Sequence, residues 1–163
     1  MKARTGREKL LPGRQAPPFS LRDAGGANRS LEGILADGPA LLAFFKVSCP
    51  TCQLTLPFLE RFHRQANGRF QVFGVSQDQE NLTQAFAQEF GLTFPMLLDD
   101  PAEYPVSNAF GITHVPSIYW IDRAGDIRDF QEGFAKQDLE NLGRTLGVQL
   151  FRPEDNVPDW KAG

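Results

Sequence analysis

The only two cysteines of the chain stand three residues apart, Cys49 and Cys52, in KVSCPTCQLTLPF at positions 46–58. A pair at this spacing can exchange disulfides, hold a soft metal or fill a core. An unbroken apolar run, Ala40–Phe45, precedes it, and apolar residues recur behind it at helical spacing. A strand followed by a helix would put Cys49 at the helix N-terminus, with Cys52 one turn in on the same side. Residues i and i+3 then lie about 5 Å apart at Cα, within disulfide reach. Unpaired backbone N–H groups and the positive end of the helix dipole favour a thiolate at the first position. Cys49 is therefore the expected nucleophile and Cys52 the resolving thiol. Lys46, three residues before Cys49, would add to this if its ammonium came within roughly 6 Å. A zinc site would ask for about four ligands, and beyond the cysteines only His63 and His114 remain as soft partners. No metal is expected, and none of these residue types asks for a cofactor beyond a Cys49–Cys52 disulfide.

The elements that would position this pair alternate along the chain. Residues 1–17 are rich in basic residues, glycine and proline and read as an extended or mobile segment. FSLRD, GGANRS and LEGILA suggest two short strands around a glycine turn, then a helical turn or two. Ala40–Phe45 shows no polar alternation, as expected of a strand covered on both faces. The helix from Cys49 or Pro50 would bury Leu54, Phe58, Leu59, Phe62 and Ala66, be kinked by Pro57, and stop at Asn67-Gly68. FQVFGVS at 70–76 is a strand. Residues 81–90 form an amphipathic helix with Leu82, Ala85, Phe86 and Phe90 on its buried side. FPMLLDD and YPVSNAFGI give a short strand and a short helix. SIYWI at 117–121 is a strand, Asp122 to Gly125 a hairpin turn, and 126–130 the returning strand. Leu139, Leu142 and Leu146 mark a last helix, and the tail 151–163 shows no pattern and reads as irregular. This is a single α/β domain, residues 1–163, with a central mixed sheet flanked by helices.

Composition narrows the function classes. A chain of 163 residues with 41% hydrophobic and 23% charged residues can bury one sizeable core. Its net charge of -3 supplies no basic footprint, so nucleic acid is not an expected partner. No stretch approaches the roughly 20 apolar residues of a membrane span. The basic opening is not followed by the apolar stretch of a secretory signal, so a cytoplasmic location is expected, or export if the signal has been removed. In a reducing cytosol a close cysteine pair is catalytic, redox-sensing or metal-binding more often than a structural staple.

Two segments carry a resemblance. LLAFFKVSCPTCQLTLPFLERF resembles the active-site segment of thioredoxin-like proteins. FGITHVPSIYWIDRAGDI resembles the second signature of that superfamily. The stretch VFGVSQD, a helix, then FGLTFPMLLDD resembles the strand–helix unit inserted in its redoxin branch, which holds the TlpA/ResA-type thiol-disulfide oxidoreductases and the peroxiredoxins. LPGRQAPPFSLRDAGG is similar to the N-terminal β-hairpin of that branch. The resemblance covers roughly residues 12–147. It implies a thioredoxin-like fold, a cis bond between Val115 and Pro116, and a Val115 backbone that pairs with a bound partner. Pro50 and Thr51 would shape the site between the cysteines. The implied partners are protein or small-molecule disulfides and thiols, with an upstream reductant such as a thioredoxin reductase or a glutathione system. An antioxidant role would follow.

The departures from that pattern are specific. Ser48 stands where thioredoxins carry tryptophan before the first cysteine. The buried carboxylate of thioredoxins would fall at Ala43, and that of ResA-type proteins at Thr55, so neither supplies a base for Cys52. Asp99 and Glu103 are the conceivable carboxylates further along. His114 replaces a common glycine beside the proline loop and could tune the disulfide with pH. A peroxiredoxin-type thiol peroxidase is the enzyme alternative, but its proline and threonine before the cysteine correspond here to Leu42 and Lys46. A copper chaperone using both thiolates is the non-enzymatic alternative, although such proteins separate their cysteines by three residues and this pair is separated by two.

Overall fold

The computed structural model describes residues 8–163. Its frame is a five-stranded mixed sheet in the order β5-β4-β3-β6-β7. The strands are β3 (Ala40–Phe45), β4 (Gln71–Ser76), β5 (Met96–Leu98), β6 (Ser117–Ile121) and β7 (Ile127–Glu132). β3 pairs in parallel with β4 and antiparallel with β6; β4 and β5 are parallel, and β6 and β7 antiparallel. β3 lies at the centre, and all six of its residues are buried, as its unbroken apolar run requires. Successive side chains of a strand point to opposite faces, so its two residue sets lead into two cores. Leu41, Ala43 and Phe45 join Leu56, Leu59 and Phe62 of α2 (Pro50–Gln65), Phe86 of α3 (Glu80–Phe90) and Leu139, Leu142 and Leu146 of α5 (Lys136–Leu146). Ala40, Leu42 and Phe44 join Leu31, Ile34 and Leu35 of α1 (Leu31–Asp37) and Val106 and Phe110 of α4 (Pro105–Phe110). This is the thioredoxin-like α/β sandwich, with the N-terminal hairpin β1 (Ser20–Arg22) and β2 (Asn28–Ser30) and the inserted α3–β5 unit where the sequence places them.

Two expectations are corrected and a third is narrowed. Within the described part of the N-terminal segment, expected to be extended or mobile, the chain is docked: Gly13 and Ala16 donate backbone hydrogen bonds to Ile127 and Gly125, and Lys9 pairs with Glu132. The remainder of that expected extended stretch, residues 1–7, lies outside the described residues. In α3 the buried face is not the one apolar content suggests. Leu82 is 47% exposed and Ala85 is also exposed, whereas Thr83 is buried with Phe86. Thr83 can point inward because its hydroxyl is paired with Ser76 Oγ (2.6 Å) and donates to the Gln79 carbonyl (2.9 Å), which removes the cost of burying it. The tail is not patternless in space either. It forms β9 (Trp160–Lys161), antiparallel to β8 (Phe134–Ala135).

The tail's course is laid down contact by contact along α2. The Phe151 ring packs on Phe58 and Phe134, at centroid distances of 4.8 and 6.2 Å. Arg61 in α2 donates to the Leu150 carbonyl and grips the Asp155 carboxylate with both terminal nitrogens, at 2.6 and 3.0 Å. That hydrogen-bonded guanidinium holds the Asp155 carboxyl at about 2. Lys136 N–H then donates to Asp159, and the chain reaches the first turn of α2 at residue 162.

Candidate active site

Cys49 is the N-cap of α2. Its extended backbone (φ -84°, ψ 115°) precedes Pro50 in the first helical turn, where a missing N–H costs nothing. The cap places its side chain over the open end of the helix, and Cys52 N–H donates to Cys49 Sγ at 3.1 Å. Across the gap, Cys49 Sγ lies 3.5 Å from the Val115 carbonyl oxygen, which its thiol can donate to. The Val115–Pro116 peptide is cis, as the resemblance implies. Cys49 is partly exposed, and Cys52 behind it is fully buried; both are free thiols.

This asymmetry separates the two sulfurs chemically. Burial pushes the Cys52 thiol far above its ordinary range, and the hydrogen bond with Cys49 and the charges of Cys49 and Asp78 push it further. A backbone hydrogen bond at Lys46 opposes them. Cys49 therefore meets solvent with a helix N-terminus beneath it, while Cys52 is held as a protonated thiol until something drives its proton off.

Nothing in the sequence singled out Asp78. It sits just past β4, where its Oδ2 accepts the Val47 N–H at 2.8 Å and fixes the loop between β3 and α2. The signal for it would have been the parallel pairing of β3 and β4, which brings the two strand ends together at Phe45 and Ser76. The other carboxylates considered lie elsewhere. Asp99 is spent on capping α4, accepting from Val106 and Ser107 N–H and from Ser107 Oγ. Glu103 is exposed on the loop ahead of α4. Thr55, at the position of the ResA-type acid, is fully buried and donates its hydroxyl to the Thr51 carbonyl at 2.7 Å.

The side chains of Lys46 and His114 flank the site without a described hydrogen bond to either sulfur. The Lys46 ammonium lies over the Tyr104 ring, 5.2 Å from its centroid. His114 is exposed, with Nδ1 at 3.0 Å from Thr113 Oγ1 and 3.2 Å from the Glu132 carboxylate that Lys9 also binds. Burial would raise the Glu132 carboxyl, but Lys9 and His114 together hold it below its ordinary value. Both Lys46 and His114 line a cleft of about 420 Å³ that ends at Val115, with Gln77 and Ser107 among its walls. His63, on α2, meets the Phe94 ring edge-on. Among the described residues no three of His, Cys, Asp or Glu gather into a cluster.

A capped cysteine pair at the start of a helix, facing a cis-proline loop across the end of a five-stranded mixed sheet, defines the thioredoxin-like class. Within it, the chain belongs to the AhpC/TSA family, which it matches over residues 12–130. It is 30% identical over 137 residues to the thioredoxin-like protein YneN of Bacillus subtilis, covering 80% of this chain and 78% of that protein. It is 27% identical over 139 residues to the thiol-disulfide oxidoreductase ResA of Geobacillus kaustophilus, covering 83% and 78%. Among solved structures it resembles the thioredoxin domain of thiol-disulfide oxidoreductase BVU-2223 from Bacteroides vulgatus, with a TM-score of 0.73 and 23% identity over 84% of this chain and 98% of that one.

Proposed function

We propose that the protein is a dithiol–disulfide oxidoreductase that reduces partner disulfides through Cys49 and Cys52. The observation that carries this reading is the exposed Cys49 Sγ, 3.1 Å from the Cys52 N–H and 3.5 Å from the Val115 carbonyl, above a buried Cys52. The Cys49 thiolate attacks one sulfur of the partner disulfide. A Cys49–partner bond forms, the partner S–S bond breaks, and the departing sulfur takes up a proton. Cys52 then loses its proton and attacks Cys49 Sγ, which closes the Cys49–Cys52 disulfide and releases the partner's second thiol. Two electrons pass from the dithiol to the partner. In this scheme Val115 and Pro116 seat the incoming chain, Pro50 and Thr51 shape the rim, and Lys46 contributes positive charge from the adjoining cleft that His114 also lines. The enzyme must be re-reduced by a thiol system such as thioredoxin reductase or glutathione, so the direction suits the cytoplasm. The ResA and YneN similarities support this exchange chemistry. The peroxidase alternative has a lysine where the peroxide-orienting hydroxyl belongs, at position 46.

Replacing the resolving thiol tests the assignment. Cys52→Ser should accumulate a mixed disulfide between Cys49 and a disulfide-bonded polypeptide, visible as a mass adduct that a reductant removes. Cys49→Ser should form none. An adduct on Cys52 in the Cys49→Ser protein, with none in Cys52→Ser, would reverse the roles.

A further inference from the structure

Residues 160–163 lie on the strip that the proposed reaction needs open. Thr51, between the two cysteines, donates its hydroxyl to the Ala162 carbonyl at 2.6 Å. Gly163 rests directly on the Val115–Pro116 peptide, where an added Cβ would collide with the Val115 carbonyl oxygen. Behind it, Gly133 (φ +73°) leaves room for the Lys161 carbonyl, which would stand 2.7 Å from a Cβ at that position. The Val115 N–H meets no acceptor among the described residues, and the only hydrogen bond its carbonyl accepts among them is the 3.5 Å one from Cys49. An extended chain approaching Cys49 across Val115 would have to enter the volume that Gly163 fills.

We propose that residues 160–163 are an intramolecular stand-in for the partner: in the free protein they hold the strip, from β8 past Thr51 to Val115, on which the reaction above seats the incoming chain, and an extended polypeptide displaces them. The proposal rests on the exchange reaction assigned above. The stand-in is lightly held: β9 is a ladder of two residue pairs, one hydroxyl bond fixes Ala162, and all four residues are exposed, Trp160 by 65%. The firm anchor, Asp155 on Arg61, lies upstream and would stay fixed while residues 160–163 move off the strip. Cys49 itself remains partly exposed beside the tail. A small disulfide therefore reaches the sulfur without moving it, and a polypeptide whose backbone must lie along Val115 does not. Apparent affinity for the polypeptide falls by the fraction of molecules with the strip open.

Two full-length variants open the strip without touching the cysteines. Lys161→Pro removes a donor from the β8–β9 ladder, and Gly163→Val places a branched side chain against the Val115 carbonyl. Rates would be measured with reduced insulin formation as the polypeptide probe and oxidised glutathione as the small one. Both variants should reduce insulin about tenfold faster than the parent at low substrate, as expected when a latch of a few weak hydrogen bonds is lost. Their glutathione rates should stay within about twofold of the parent's, since that substrate does not wait for the strip. A synthetic peptide of residues 155–163 added to Lys161→Pro should slow insulin reduction again and leave the glutathione rate alone. An insulin rate that is unchanged, lowered, or raised in step with the glutathione rate would overturn the proposal. So would a peptide that fails to compete. If the parent and both variants reduce neither probe, the exchange reading itself has failed rather than the latch.

Discussion

At the scale of single residues, the site is two sulfurs made unequal by where the backbone puts them. The placement of Cys49 at the helix cap and of Cys52 one turn in could be read from spacing alone, because i and i+3 at a helix start admit few geometries. What spacing could not give was the depth of Cys52, which depends on the residues that close over it. Burial holds its thiol protonated in the folded state, while the unfolded chain ionises at its ordinary value of 9.0. The folded state then binds more protons than the unfolded one once the pH passes that value, so stability falls as pH rises. Urea unfolding of the reduced protein should show stability that begins to fall as the pH passes about 9 and keeps falling above it, and Cys52→Ser should remove much of that loss. An identical loss in both proteins would mean that Cys52 is not the group responsible.

At the scale of elements, α2 is where fold and chemistry meet, and its position is fixed by polar contacts as much as by its apolar face. Glu60, buried on α2, accepts the Thr93 N–H at 2.7 Å, the Thr93 hydroxyl at 2.6 Å and Arg64 at 2.9 Å. Burial would raise its carboxyl, yet those bonds keep it below its ordinary value. Glu60→Ala should destabilise the protein by about 1–3 kcal/mol by leaving Thr93 unpaired, with Glu60→Gln costing less; equal stability in urea titrations would show that this bracket is not holding the helix. The extent of α2 could be read in the sequence, since Pro50 and the apolar spacing mark it. The inward turn of Thr83 in α3 could not, because a threonine is buried only when a partner such as Ser76 meets it, and that partner comes from another strand. Asp78 was hidden for the same reason: its value lies in reaching Val47, 31 residues away.

At the scale of the whole molecule, both signatures and the alternating strands made the thioredoxin-like frame readable, since each is a local pattern. The path of the tail was not readable. Residues 151–163 carry no period, and their order comes from partners far off in the chain: Arg61 for Asp155, β8 for β9, Thr51 for Ala162. Their convergence on the cysteines leaves one claim at the centre, that Cys49 and Cys52 form a reversible two-electron couple. Thiol alkylation and mass analysis across a series of thiol–disulfide buffers test it directly. A single transition between dithiol and intramolecular disulfide is expected, at a potential nearer that of thioredoxin, roughly -270 mV, than that of DsbA, roughly -120 mV, and absent from Cys49→Ser. Two cysteines that stay reduced, or that form only intermolecular links at every potential, would contradict it.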